Sequence, residues 1–280
     1  MQTTRSALDS LVAVLLPSKC RICTQPLLRL RRVPVCDACV SSLQRAQVNA
    51  CSICGEALDF ASPDAPEVCG LCRRAHPEFD FAISFGAYDG ALRRLVHLLK
   101  YERVRPAASI LGERLAEVLS EHRFAGDQLV LLIPVPLHRI KRRQRGFNQS
   151  ELIARCALRY LNRDRYRVQI GNLQRIRATV SQTGLTRHQR RQNVRGAFVI
   201  NAPEQVRDRS LVLVDDVYTT GTTLNECARV LRKAGAREVV VATVARVYRA
   251  VGEMKIVARD AYPAQSTQEE QAAAVTAVAG

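Results

Sequence analysis

The chain contains no tryptophan, and aromatic residues make up only 5% of it. Binding of a single strand by base stacking needs exposed aromatic platforms, so that mode has little to work with here. No apolar run approaches membrane-spanning length. Acidic residues are also scarce, with 26 against 42 lysines and arginines, for a formal charge of +16. That imbalance implies an anionic partner or substrate, or a solvated basic surface. Glycine and proline contents are those of an ordinary folded protein, and 280 residues can hold a small module and one full core.

Cysteine is the residue in surplus. Eight of the ten lie between Cys20 and Cys72 as four CxxC pairs: Cys20/Cys23, Cys36/Cys39, Cys51/Cys54 and Cys69/Cys72. A CxxC turn aims two thiolates at one tetrahedral ion, so four pairs make two zinc sites of four cysteines each. The intervals of 12 residues after Cys23 and 14 after Cys54 suit zinc ribbons. Sequential pairing is preferred, and interleaved pairing stays open. A disulfide framework needs an oxidising compartment. Arg5 is the sole early charge before Asp9, and the short apolar run Leu11 to Leu16 has no small-residue cleavage signature before Pro17. This argues against secretion and for a cytoplasmic protein. Cys156 and Cys227 fall on predicted helices and read as ordinary buried residues.

After the cysteines, strands and helices alternate. Phe79 to Tyr88 reads as a strand, and Ala91 to Tyr101 as an amphipathic helix with Leu92, Leu95, Val96 and Leu99 on one face. Ala107 to Glu121 is a second helix, Leu129 to Val135 a buried strand, and Gln149 to Leu161 a further helix. Ala197 to Ile200 is a candidate edge strand, and Glu238 to Val247 is the last strand. The alternation predicts an α/β fold: a mostly parallel sheet flanked by helices, preceded by a small Cys-rich double zinc ribbon. The expected divisions are a helix and double ribbon over 1–76, a sheet domain over 77–249 and a disordered tail over 250–280. Ser6 to Leu16 has helical spacing that suits packing on the metal module.

The most informative stretch is Leu211 to Thr223, LVLVDDVYTTGTT. Four apolar residues form a strand that ends at two carboxylates, Asp215 and Asp216. A threonine-rich loop around Gly221 follows, and then a helix from Leu224 to Ala234. Ligands of open α/β sheets sit beyond the carboxyl ends of strands. Loop amides and a helix amino terminus favour an anion there. A P-loop would need Gly-Lys-Ser/Thr, and this loop has no lysine. The plain alternative is a buried strand, a solvated acid pair and a helix capped by Thr222 or Thr223. Basic residues crowd two other connections: His138, Arg139, Lys141, Arg142, Arg143 and Arg145 in one, and Arg187 to Arg195 in another. Thr179 to Arg195 reads either as a lid or as a basic surface loop.

The Asp-Asp and threonine stretch resembles the phosphoribosyl diphosphate (PRPP) signature of type I phosphoribosyltransferases. The resemblance implies that Asp215 and Asp216 hold the ribose hydroxyls, and that Thr219, Thr220, Gly221, Thr222 and Thr223 hold the 5′-phosphate. Gly221 suits a close backbone approach that leaves no room for a Cβ. Together with PVPLHRIKRRQRGFNQSELIAR, RIRATVSQTGLTRHQRRQNVRGAF, Lys100-Tyr101 and the four CxxC pairs, the chain resembles the ComF family from about Leu8 to Val247. That resemblance implies a type I phosphoribosyltransferase fold and a role in DNA uptake for natural transformation. It further implies PRPP with Mg²⁺ as ligand and two structural zinc ions. Lys100, Leu137, His138, Arg139 and Arg145 are candidates for the diphosphate. Three readings remain. One is a phosphoribosyltransferase with an unassigned acceptor. Another is a non-catalytic PRPP sensor that binds single-stranded DNA or a competence helicase or channel protein. Regulation of gene expression through PRPP sensing is a third.

Overall fold

The computed structural model describes residues 18–27, 29, 31–46, 49–58, 67–124, 129–178 and 186–248. The expected amino-terminal helix and the tail lie outside these residues.

Five strands form one parallel sheet in the order β1-β7-β6-β2-β3. They are β1 (Phe81–Ala87), β2 (Val130–Pro134), β3 (Tyr166–Val168), β6 (Ser210–Tyr218) and β7 (Glu238–Arg246). The central strands β2, β6 and β7 carry continuous runs of valine, leucine and isoleucine. Such runs suit strands buried on both faces, and both faces are covered. Helices α3 (Gly90–Lys100), α4 (Ala107–Glu121) and α6 (Gln149–Ala157) pack on one side. On α3 the apolar positions Leu92, Leu95, Val96 and Leu99 are all buried, as their spacing predicts. Helix α8 (Thr222–Lys233) packs on the other side with an antiparallel ribbon of β4 (Leu173–Arg175) and β5 (Phe198–Ile200). The predicted edge strand therefore belongs to this ribbon, and the sheet edge is β3, three residues long.

The two CxxC modules sit at the opposite edge. Among the described residues they carry only short helices, α1 (Asp37–Ser41) and α2 (Gly70–Arg74), and two isolated bridges, Lys19 with Pro26 and Ala50 with Ala57. Both modules hydrogen-bond β1. Ala46 N–H donates to Phe85 O at 3.0 Å, and Ala82 N–H donates to Ile53 O at 2.7 Å. This covers a strand edge that would otherwise be open to pairing with another chain. Cys20 and Cys39 join the core layer under α3 and α4, while Cys51, Cys54, Cys69 and Cys72 join the layer under α8. The cysteine modules thus grip the sheet from both sides.

The basic connection after β2 is not all loop. It contains α5 (Arg139–Arg145), capped by His138, whose Nδ1 accepts from Ile140 N–H at 3.4 Å. Gly146 ends it in the left-handed region at φ 80°. The sequence RIKRRQR has no apolar periodicity, and none of its residues is buried. Farther along, α7 (Arg187–Val194) opens with a capping box between Thr186 and Gln189.

Candidate phosphosugar site and metal centres

The strand order places a switch point between β2 and β6. The chain leaves β2 for β3 on one side and leaves β6 for β7 on the other. A crevice opens beyond the carboxyl ends of such a strand pair. Pairing of β2 with β6 ends at Pro134 and Val214, after which Val135 N–H donates to Val214 O at 2.9 Å. β6 runs on through Asp215 and Asp216, paired only with β7. Both acids therefore lie on a shelf past the end of β2.

The two carboxylates have different surroundings. Asp216 is 3% exposed. Its Oδ1 accepts from Lys100 Nζ at 2.9 Å, across the last residue of α3. Its Oδ2 is buried and has no hydrogen-bond partner among the described residues. A buried carboxylate oxygen without a donor is costly. Burial pulls the Lys100 ammonium down, but the Asp216 carboxylate outweighs that and holds it above the usual lysine range. Asp215 Oδ1 accepts from Ser150 Oγ at 2.8 Å and from Asp216 N–H at 2.9 Å. Its acidity is lowered to a pKa of about 7, first by burial and next by the Asp216 charge, with Lys100 and Ser150 opposing. Cations converge nearby. Lys141 is largely exposed, yet partial loss of water, then Arg175 and Arg145, keep its ammonium below the usual range.

The loop after β6 turns directly into α8. Gly221 is the N-cap residue, at φ 70°, and no side chain caps the helix. Neither Thr222 nor Thr223 is the cap, so the first amides of α8 keep no side-chain cap of their own. Thr219 is exposed, Thr220 and Thr222 are half-buried with their hydroxyls 2.9 Å apart, and Thr223 is half-buried. Gly221 lacks a Cβ for a reason the sequence did not suggest. A Cβ there would lie against the Tyr218 hydroxyl and 2.6 Å from its ring carbon Cζ. The space a Cβ would take is filled by Tyr218.

The diphosphate candidates other than Lys100 stand on the adjacent β2 connection. Leu137 is half-buried, His138 is buried, and Arg139 is exposed. Arg145 donates to Gln149 Oε1 at 2.6 Å, and its guanidinium lies 5.9 Å from the Tyr101 ring centroid. The geometry does not bring Lys100 to them as a free cation, because its ammonium is held by Asp216.

With this geometry, similarity to known proteins becomes informative. Competence protein F of Haemophilus influenzae is 32% identical over 186 residues, 63% of this chain and 77% of that protein. The DNA utilization protein YhgH of Salmonella typhimurium is 34% identical over 227 residues, 80% of this chain and 95% of that protein. The chain belongs to the ComF family. A third ComF relative, competence protein ComFC of Bacillus subtilis, is 27% identical over 111 residues, 39% of this chain and 41% of that protein. The family profile "Phosphoribosyl transferase domain" matches residues 150–272, which include β6, its acids and α8. The sheet is accordingly phosphoribosyltransferase-like.

The double zinc ribbon of the ComF chain has a donor geometry that fits metal. Cys20, Cys23, Cys36 and Cys39 form one cluster, and Cys51, Cys54, Cys69 and Cys72 the other, with all four sulfurs of each within 4.8 Å of one another. Pairing is therefore sequential. A tetrahedral zinc with Zn–S of about 2.3 Å sets sulfurs about 3.8 Å apart. Cys20 and Cys39 lie at 3.8 Å, Cys23 and Cys36 at 3.6 Å, and Cys54 and Cys69 at 3.7 Å. Backbone N–H groups point at the sulfurs: Cys36 N–H lies 3.3 Å from Cys20 Sγ, and Cys69 N–H lies 3.3 Å from Cys51 Sγ. Each cluster could hold a zinc ion.

Sequence reasoning missed Ser150, Tyr218 as a spacer, Glu56 and Arg246. Ser150 lies 65 positions from the acid it orients. Arg246 closes an apolar strand, where a charge reads as solvent-facing. In the fold it is 2% exposed.

Proposed function

We propose that this ComF-family protein binds PRPP on the β6–α8 connection and serves DNA uptake in natural transformation. The observation that carries the binding is the buried, unpartnered Oδ2 of Asp216 on the shelf past the end of β2. A ribose hydroxyl would supply the missing donor. Asp215 would take the neighbouring hydroxyl, with Ser150 fixing its orientation. Thr219 to Thr223 and the uncapped start of α8 would receive the 5′-phosphate. Lys141, Arg139 and Arg145 would meet the diphosphate, where guanidinium forks match phosphate oxygens. Magnesium would enter on that diphosphate, because it prefers substrate phosphates and waters to an all-protein cage. Zinc in both four-cysteine clusters would be structural.

Calorimetric titration with PRPP, with and without Mg²⁺, tests this reading. Hydroxyl donors favour the ionised form of Asp215, so binding near pH 7 should release a proton into the buffer. Absence of saturable binding would remove the reading. If PRPP binds, diphosphate release with a panel of bases and amines separates enzyme from sensor.

The role in DNA uptake rests on the relatives named competence protein and DNA utilization protein. The exposed cations of α5 and the charge of +16 support contact with a DNA backbone. Such contact releases counterions, so affinity for an oligonucleotide should fall steeply as salt rises. Salt-independent affinity would exclude backbone contact.

A further inference from the structure

We propose that the second four-cysteine cluster holds the phosphate loop in shape through Arg246 and Tyr218, so that metal occupancy and ligand binding are linked. The ligand half of this proposal rests on the reading above; the structural half does not.

Every step of the link is a buried contact. Arg246 is among the largest fully buried side chains. Its guanidinium donates to the carbonyl of the metal-ligating Cys54, and Nη2 lies 3.8 Å from Cys54 Sγ. The same nitrogen donates to Glu56 Oε2 at 3.1 Å. On its other side the guanidinium lies 4.1 Å from the Tyr218 ring centroid. Phe79 meets that ring edge-on at 6.4 Å. The Tyr218 hydroxyl then occupies the space left beside Gly221. In this way Cys54, Arg246, Tyr218 and Gly221 form a continuous stack from metal site to phosphate loop.

A buried guanidinium is costly unless its partners are fixed in place. A tetrahedral ion fixes Cys54, and thereby the carbonyl and sulfur that Arg246 uses. Without the ion the knuckle loosens, Arg246 loses those partners, and Tyr218 loses the cation on its face. The loop then loses the phenol that packs against its turn. Among the described residues the first cluster makes no such stack. It packs in the opposite core layer and reaches α3 through Arg94, whose Nε donates to Arg21 O at 2.8 Å, and the turn after α3 through the exposed Arg21–Glu102 ion pair. These are surface contacts that do not lead to the β6–α8 loop and contribute little. The coupling is specific to the second cluster, and by linkage it must be reciprocal.

The test uses the full chain loaded with zinc or ¹¹³Cd. Arg246→Met combined with Glu56→Gln removes the guanidinium without stranding a buried charge. With both metals retained, amide hydrogen exchange over residues 218–225 should accelerate roughly tenfold or more while α4 stays protected. PRPP should shift the second ¹¹³Cd resonance in the wild type, leave the first in place, and shift neither in the variant. PRPP affinity should fall roughly tenfold. If the double variant does not fold, Tyr218→Leu leaves the Arg246–Glu56 pair and the metal site intact and must accelerate the same amides. Wild-type exchange rates in a folded, metal-loaded variant would overturn the proposal. Should the wild type not bind PRPP, exchange still reads the link, and only the ligand reading fails.

Discussion

Stripping both metals should unfold the cysteine modules while the sheet domain survives. Metal analysis of the purified protein should find about two zinc ions per chain. The modules have almost no repeating backbone structure of their own, only two isolated bridges and two five-residue helices among the described residues. Such a segment has little beyond the metal to offset its conformational entropy. Structural zinc contributes roughly 10–16 kcal/mol in small zinc modules, comparable to the whole stability of a domain. The sheet has separate core layers on both faces and should keep its cooperative melt. Limited proteolysis with a strong chelator should therefore cut within the modules and leave a fragment from about β1 onward. The exposed edge of β1 should then promote self-association, visible by light scattering. Full protection of the modules after complete metal removal would show that the clusters are not structural zinc sites.

Replacing each acid of the pair by asparagine should weaken PRPP binding at least roughly tenfold, since each loses a charge-assisted hydrogen bond. The two replacements should nevertheless move stability in opposite directions. Asp216 neutralises the half-buried Lys100. Asp216→Asn removes that charge and should cost about 1–3 kcal/mol, less than a fully stranded ion because Asp215 still attracts Lys100. Asp215 behaves otherwise. Its pKa is raised from 3.8 to about 7, so the folded state holds a proton that the unfolded chain has already lost. The stability from that proton is complete below about pH 4 and is lost as pH rises towards 7. Asparagine cannot ionise, so Asp215→Asn should melt like the wild type near pH 4. Above pH 7 it should be the more stable by on the order of 2 kcal/mol. Thermal melts at pH 4 and pH 8 check both signs. Equal loss of stability from the two variants at pH 8 would contradict these two environments. The expected gain would also show that Asp215 is kept at a cost to the fold, as a binding group can be.

Much of this molecule is written locally along the chain. The four CxxC pairs are two-residue turns and so are read directly, but the sequence left interleaved pairing open and the fold decides for sequential pairing. The strand, acid pair, loop and helix of residues 211–233 are contiguous, so apolar runs and helical spacing are enough to read them. The three-residue strands β3 and β4 carry too few residues to show a period. Helix α5 reads as a connection because its residues are all polar or exposed, which leaves no apolar face to detect.

What the sequence alone determined is therefore the set of parts: four CxxC pairs, a threonine and glycine turn after two carboxylates, and an alternating α/β core. Only the tertiary structure decided how those parts meet. It put Lys100 on Asp216, Ser150 on Asp215, and Arg246 between a metal ligand and the Tyr218 ring. The reason is distance along the chain. Arg246 and Cys54 are 192 positions apart, and no periodicity or turn chemistry reports a contact made by folding a sheet between them. Burial worked the same way: a charged residue at a strand end has no sequence mark that says whether water or another module will cover it.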